Sequence, residues 1–209
     1  AFLRYGHVRT KKLTMREGIA ITGLGWLLAT FLGMLPYCLG GYLNYFDGLF
    51  ESISGFTGTG ATVIPDLEVL PQSLLFWRSL THWIGGLGII LLSLIVLPLL
   101  GVGGMQLYRA EVTGPSPDKL TPRMQDTALT LWRVYCLMTI VLTVLLYIAG
   151  MDWFDALNHS FSTVATGGFS TKNNSIAAYP QASIQWILIF FMFIAGINFS
   201  LHAQALRGV

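Results

Sequence analysis

The sequence predicts an all-α polytopic membrane protein made of two tandem repeats, each a helical span, a short pore helix, a filter loop and a second span. Three observations lead there. Of 209 residues, 54% are hydrophobic and only 11% charged, with mean hydropathy +0.63, whereas a soluble domain carries about 25% charged residues. Four charge-free or apolar runs, Gly18–Leu39, Ser79–Tyr108, Val134–Met151 and Ile184–Leu206, suit the roughly 20 residues of helix that cross a bilayer. Finally, one motif occurs twice, as FDGLFESISGFTGTGAT over 46–62 and FDALNHSFSTVATGGFS over 154–170. At a constant offset of 108 residues, Phe46/Phe154, Asp47/Asp155, Leu49/Leu157, Ser52/Ser160, Ser54/Ser162 and Gly60/Gly168 are identical, and Thr62/Ser170 keep a hydroxyl.

The chain divides into a basic cytoplasmic segment (1–16), a first membrane-pore-membrane repeat (17–108), a cytoplasmic connection (109–130) and a second repeat (131–209). The first span uses Gly23, Gly25 and Gly33 as small packing positions. Residues 46–57 are too short to cross the bilayer and carry Asp47 and Glu51, which predicts a re-entrant helix running into the Thr57–Thr62 loop. Non-helical backbone at membrane depth is tolerated only inside protein or beside a water-filled cavity. An outer connection with Pro65 and Pro71 leads to the second span. The turn-rich stretch Thr113–Pro122 follows it, and Pro122–Arg133 is read as a helix feeding the third span. The second repeat then restates the order, with a short helix over Trp153–Val164, a loop over Ala165–Ser170, and the last span.

Ten of the twelve Lys and Arg residues fall before the first span, between the second and third, or after the fourth, leaving Arg78 and Lys172 opposite. The positive-inside rule therefore places both termini and the 101–133 stretch in the cytoplasm. The outer side holds Asp47, Glu51, Asp66, Glu68, Asp152 and Asp155, an acidic face that raises local cation concentration. Cys38 and Cys136 fall near opposite membrane faces and are read as unpaired packing residues.

A permeating cation must exchange water for other oxygen ligands. Glycine and small hydroxyl residues let consecutive carbonyls turn toward one axis, and Thr hydroxyls add ligands. Thr57, Gly58, Thr59 and Gly60, with Ala165, Thr166, Gly167 and Gly168, have that composition and are the candidate ion-binding residues. No acid lies inside either loop, which favours carbonyl coordination of a monovalent ion. Of the other polar residues, Asp47 and Asp155 are read as helix caps, and His82, His159 and His202 as packing or hydrogen-bonding residues. Lys172 is read as solvated, Arg78 as paired with Asp66 or Glu68, and Trp77, Trp153 and Trp186 as interface anchors.

The stretches SGFTGTGATVIPDLEVLP, FWRSLTHWIGGLGIILL, LPLLGVGGMQLYRAE, DALNHSFSTVATGGFST and INFSLH resemble the TrkH family of bacterial Trk potassium uptake systems, in the Trk/Ktr/HKT superfamily. The resemblance implies four repeats around a pseudo-fourfold pore, one filter glycine per repeat (here Gly60 and Gly168), and K+ as the transported ion. It also implies a homodimer in the bacterial inner membrane and a TrkA-like cytoplasmic nucleotide-binding regulatory subunit, which would meet a surface such as Gln106–Arg133. Two repeats stand where the family has four, so the chain is read as the first and second repeats of a longer protein; a half-size protein pairing to four repeats is the alternative. No covalent cofactor, enzymatic activity or nucleic-acid partner is expected. The competing readings are a sodium-permeable or weakly selective monovalent cation transporter, with or without symport, and a non-conducting scaffold subunit. An intramembrane enzyme using Asp47 and Asp155 is disfavoured, because both acids belong at the outer edge.

Overall fold

The computed structural model describes the backbone of residues 15–100, 120–199 and 201–202, and the side chains of 16–90, 127–199 and 201–202. The elements are α1 (Met15–Gly33), α2 (Leu35–Leu39), α3 (Tyr45–Thr57), α4 (Gln72–Leu100), α5 (Leu120–Ile148), α6 (Trp153–Val164), a 3-10 turn (Ser175–Ala178) and α7 (Ala182–Ala195). Among the described residues there is no strand.

The first span is interrupted near its end. Pro36 lies in the first turn of α2 and lacks the N–H that would continue α1, so the chain restarts after Gly33. Gly33 allows close approach there, since a Cβ would strike the Phe56 ring and the Ser52 hydroxyl of α3. Ser52 donates to Thr30 O (2.7 Å), and Trp77 Nε1 donates to Gly33 O (2.9 Å). Trp77 is thus a tie between α1 and α4 rather than an interface anchor, whereas Trp153 and Trp186 are exposed. The outward face of α1 carries Leu24, Leu27, Leu28 and Phe31, all exposed.

Among the described residues, two segments, Arg16–Leu39 and Thr127–Ile148, are long and apolar enough to cross a membrane. Helix α4 has 29 residues, about 44 Å at 1.5 Å per residue. The helix expected from Pro122 is continuous with the third span as the 29-residue α5. The fourth span is different: α7 has only 14 residues, about 21 Å, short of the roughly 30 Å hydrocarbon core. The apolar run from Ile184 looked unbroken, but Gly196 and Asn198 interrupt it, and helical residues resume at Phe199 with Leu201 N–H bonding Asn198 O (2.9 Å). Glycine is a weak helix former and Asn favours caps and turns over helix interiors, so α7 stops at this pair. His202 Nε2 takes up a carbonyl near the break by donating to Ile194 O (2.9 Å). The basic segment 1–14 and residues 106–119 of the expected regulatory surface lie outside the described residues.

The main core lies between α5, α6 and α7, where Tyr135, Leu142, Leu146, Ala156, Val164, Ile184 and Leu188 are buried together. Helix α4 packs on α3 of its own repeat and also on α6 of the next. Tyr135 O–H donates to Trp83 O (2.9 Å), and Trp83 Nε1 to Thr139 Oγ1 (3.0 Å), fastening α4 to α5. The last span of the first repeat is therefore also a wall of the second, which sets the two loops side by side.

Candidate functional site

Both short helices end in the same way. Thr59 N–H bonds Ser54 O (3.0 Å) and Gly58 N–H bonds Gly55 O (3.1 Å); 108 residues on, Gly167 N–H bonds Ser162 O (2.8 Å) and Thr166 N–H bonds Thr163 O (3.0 Å). These paired bonds form a Schellman motif, which turns the chain sharply out of the helix through a left-handed residue. That residue is Gly58 (φ +68°) in one repeat and Thr166 (φ +55°) in the other. Two residues later Gly60 (φ +76°) and Gly168 (φ +98°) again adopt positive φ, which L side chains rarely tolerate.

The loops touch at their glycines. A Cβ on Gly60 would run into the carbonyl of Gly167, and one on Gly58 would lie 3.8 Å from Ala165 O. Gly167 is fixed from behind, since its Cβ would meet the His82 ring. Fully buried on α4, His82 stacks on Phe169 (3.9 Å between centroids, 15° between planes), with Nδ1 3.2 Å from Ser162 Oγ. Ser162 Oγ also accepts from Gly168 N–H (2.9 Å), and its repeat mate Ser54 donates to Ala61 O (2.6 Å). Thr57, Thr59, Thr166 and Gly168 are exposed, Gly58, Gly60 and Gly167 half-buried, and Ala165 buried.

The chain leaving each loop is tied to the short helix before it at equivalent positions. Glu51 accepts from the Thr62 hydroxyl and from Val63 N–H (2.9 Å). Its repeat mate His159 has Nε2 3.0 Å from Ser170 Oγ and Nδ1 2.7 Å from Asp155 O. The contact recurs with a hydroxyl at the loop end in both repeats and a carboxylate in one, an imidazole in the other, at the helix end.

Three expectations are corrected here. The caps are Asn44, which accepts from Phe46 and Asp47 N–H (3.0 Å each), and Asp152, which accepts from Phe154 N–H (2.9 Å). Asp47 and Asp155 lie inside the first turn, past the capping position. Asp47 accepts from Asn44 Nδ2 (2.6 Å), whereas Asp155 is buried and accepts from Thr171 (2.7 Å) and Tyr179 (2.6 Å) hydroxyls. Lys172 is half-exposed but not free of partners, with Nζ 3.6 Å from Asp155 Oδ2. Arg78 pairs with neither Asp66 nor Glu68. It is buried, with Nε 3.5 Å from Glu51 Oε2, Nη1 donating to Ser170 O (3.1 Å) and the guanidinium 4.1 Å from the Phe169 ring centroid.

The outer connections are tied by Asn173. Its side-chain oxygen accepts from Leu67 N–H (2.7 Å) and its amide donates to Asp66 Oδ1 (2.7 Å). This donation, with help from Glu68 N–H, holds the exposed Asp66 carboxyl below its ordinary range. Burial, the largest cause, and the neighbouring Asp155 carboxylate push the Tyr179 phenol up. Among the described residues no group of three His, Cys, Asp or Glu side chains could hold a metal ion, and both cysteines are free. The site offers carbonyl and hydroxyl oxygens on two adjoining loops, braced by buried polar side chains.

Sequence reasoning singled out the loops but missed the braces Arg78, Glu51 and His82. A signal was available for Glu51 alone: the offset that aligns Gly60 with Gly168 also aligns Glu51 with His159 and Thr62 with Ser170, placing polar residues at both ends of that contact.

Residues 3–208 match the TrkH family, described as a cation transport protein. The chain is 47% identical to the Trk system potassium uptake protein TrkH of Halomonas elongata over 209 residues, covering 99% of this chain and 43% of that one. Against the protein of the same name from Escherichia coli K12 it is 46% identical over 200 residues, 94% of this chain and 41% of that one. The crystal structure of the potassium transporter TrkH from Vibrio parahaemolyticus is similar, with a TM-score of 0.81 at 38% identity over 94% of this chain and 39% of that chain. The chain thus spans about two fifths of the length of these relatives.

Proposed function

The chain belongs to the TrkH family of cation transport proteins, and on that premise we propose that it forms two of the four quarters of a potassium uptake pore in the bacterial inner membrane. The carbonyls of Thr57–Gly60 and Ala165–Gly168 and the exposed Thr hydroxyls replace the water of a monovalent cation, which the membrane potential drives inward at about 2.3 kcal/mol per charge per 100 mV. The observation that carries this reading is the recurrence, in both repeats, of a short helix closed by a Schellman motif and followed by a positive-φ glycine, with the two loops in contact. Such glycines let successive carbonyls face one side. The potassium in the names of the relatives supports K+ as the ion.

Two loops cover only part of an ion's surroundings, so two further repeats complete the pore, from the rest of a longer chain or from a second copy. A cavity of about 420 Å³ beside the second loop, lined by His159, Ser162, Gly168, Leu188 and Met192, is consistent with a further repeat seated there. The basic segments support a topology with both termini of this chain on the cytoplasmic side. The finer assembly, a homodimer of complete transporters docked on a TrkA-like nucleotide-binding subunit through the surface around Gln106–Arg133, follows the family resemblance.

Radioactive rubidium uptake into proteoliposomes by the complete transporter, with sodium as competitor, tests the reading. Uptake that resists sodium and collapses in both Gly60→Asp and Gly168→Asp is the expected outcome. Uptake that persists in both variants would put the scaffold reading in its place, and uptake readily blocked by sodium would favour the weakly selective transporter.

A further inference from the structure

We propose that the buried Glu51–Arg78 pair is a positioning brace that fixes the separation of the two loops and so sets discrimination between potassium and sodium. The proposal rests on the pore reading above.

Each charge holds the chain leaving a different loop. The carboxylate of Glu51 receives the Thr62 hydroxyl and the Val63 N–H, immediately after Gly60-Ala61. The guanidinium of Arg78 donates to the carbonyl of Ser170, two residues after Gly168, and lies over the Phe169 ring between them. One ion pair, with Nε 3.5 Å from Oε2, therefore joins the exit of the first loop to the exit of the second. Arg78 sits on the last span of the first repeat, so the brace crosses the repeat boundary.

Stability alone is a poor reason for this pair. Burying two charges carries a desolvation cost that an apolar pair of similar volume avoids. The geometry is also not optimised to repay it, since Glu51 Oε2, Arg78 Nε and Arg78 Nη2 are buried without a hydrogen-bond partner. The second repeat does without the pair: His159 takes the place of Glu51, and Ile187, at the offset of 109 that aligns Trp77 with Trp186, takes the place of Arg78. What the pair supplies and an apolar substitute cannot is directional reach from one loop to the other. Arginine suits this because its planar fork serves a carboxylate, a carbonyl and an aromatic face at once, whereas lysine offers a single point charge. Potassium and sodium differ in how far their oxygen ligands must stand from the ion, so a small change in loop separation alters their relative fit.

The test measures rubidium uptake and its inhibition by sodium in the complete transporter, with thermal stability in detergent alongside. Two variants retain charge balance: Arg78→Lys, and Glu51→Gln/Arg78→Met, in which the Gln oxygen still accepts from Thr62 and Val63. Both are expected to fold and transport rubidium, with the preference for rubidium over sodium reduced about tenfold, the amount that 1.4 kcal/mol represents. Unchanged preference in either folded variant would overturn the proposal. Failure of both variants to fold would make the pair structural and overturn it equally. A lack of rubidium preference in the unsubstituted transporter would instead count against the pore reading.

Discussion

Replacing Gly60 by alanine adds one methyl group where the structure has no room for it. At φ +76° an L residue costs about 1–2 kcal/mol relative to its ordinary conformations. The new Cβ would also overlap the Gly167 carbonyl, with the Gly168 Cα 3.6 Å away, and such overpacking typically costs another 1–3 kcal/mol. Together they disfavour the observed contact between the loops by about 2–5 kcal/mol, a fall of roughly thirtyfold or more in its population. Gly58 supplies the control. Its φ of +68° carries a similar backbone cost, but the nearest atom to its Cβ position is 3.8 Å away, and Thr166 occupies the equivalent position at φ +55°. Gly58→Thr is therefore expected to lower stability by about 1–2 kcal/mol without parting the loops. Rubidium uptake with sodium as competitor should show selectivity lost in Gly60→Ala and largely kept in Gly58→Thr. Equal damage from the two substitutions, or none from Gly60→Ala, would refute this reasoning.

Three further outcomes are expected. Gly167→Ala drives a methyl group into the His82 ring and should abolish uptake, with partial recovery in Gly167→Ala/His82→Ala; no recovery would separate His82 from the loop's shape. Asp155→Asn leaves the Tyr179 hydroxyl without its charged acceptor and should lower thermal stability in detergent by about 1.5–3 kcal/mol. The equivalent Asp47→Asn, near the exposed helix start, should stay within about 0.5 kcal/mol, and equal effects would contradict the different roles of the two acids. For Asp66, whose folded-state carboxyl lies below its ordinary value of 3.8, the stabilisation is fully present above that value and lost as pH falls through the folded value. Asn173→Ala should bring the Asp66 carboxyl back up toward its ordinary range and shrink this acid-side loss, which unfolding measured across that window would detect.

The elements that sequence made legible are those with strong periodic or compositional marks. The duplicated motif predicted short helices at 46–57 and 153–164, and α3 and α6 occupy Tyr45–Thr57 and Trp153–Val164, because in each repeat a weakly polar helix runs into a Thr/Gly-rich segment that cannot continue it. Hydropathy counts apolar residues but does not see a local helix stop inside them, so the break at Gly196–Asn198 was not read. Contacts between repeats were the least legible. Arg78 was assigned to Asp66 or Glu68, its sequence neighbours on the outer side, yet it reaches Glu51 and Ser170 on two different repeats. Hydrogen bonds over 92 residues, such as Arg78 to Ser170, depend on how α4 packs across the repeat boundary, which no local pattern encodes. Asp47 and Asp155 were both read as caps because each begins the same kind of helix, but Asn44 and Asp152 hold that position; what separates the two acids is Tyr179, supplied by an outer connection that differs between the repeats.

The most direct measurement locates the ion. A crystal of the complete transporter soaked in thallium or rubidium, with anomalous scattering recorded at the ion's absorption edge, should show density facing the carbonyls of Thr57–Gly60 and Ala165–Gly168, and that density should vanish in Gly60→Asp. Ion density elsewhere in a transporter that still takes up rubidium, with none beside these two loops, would contradict their role as the ion-binding filter.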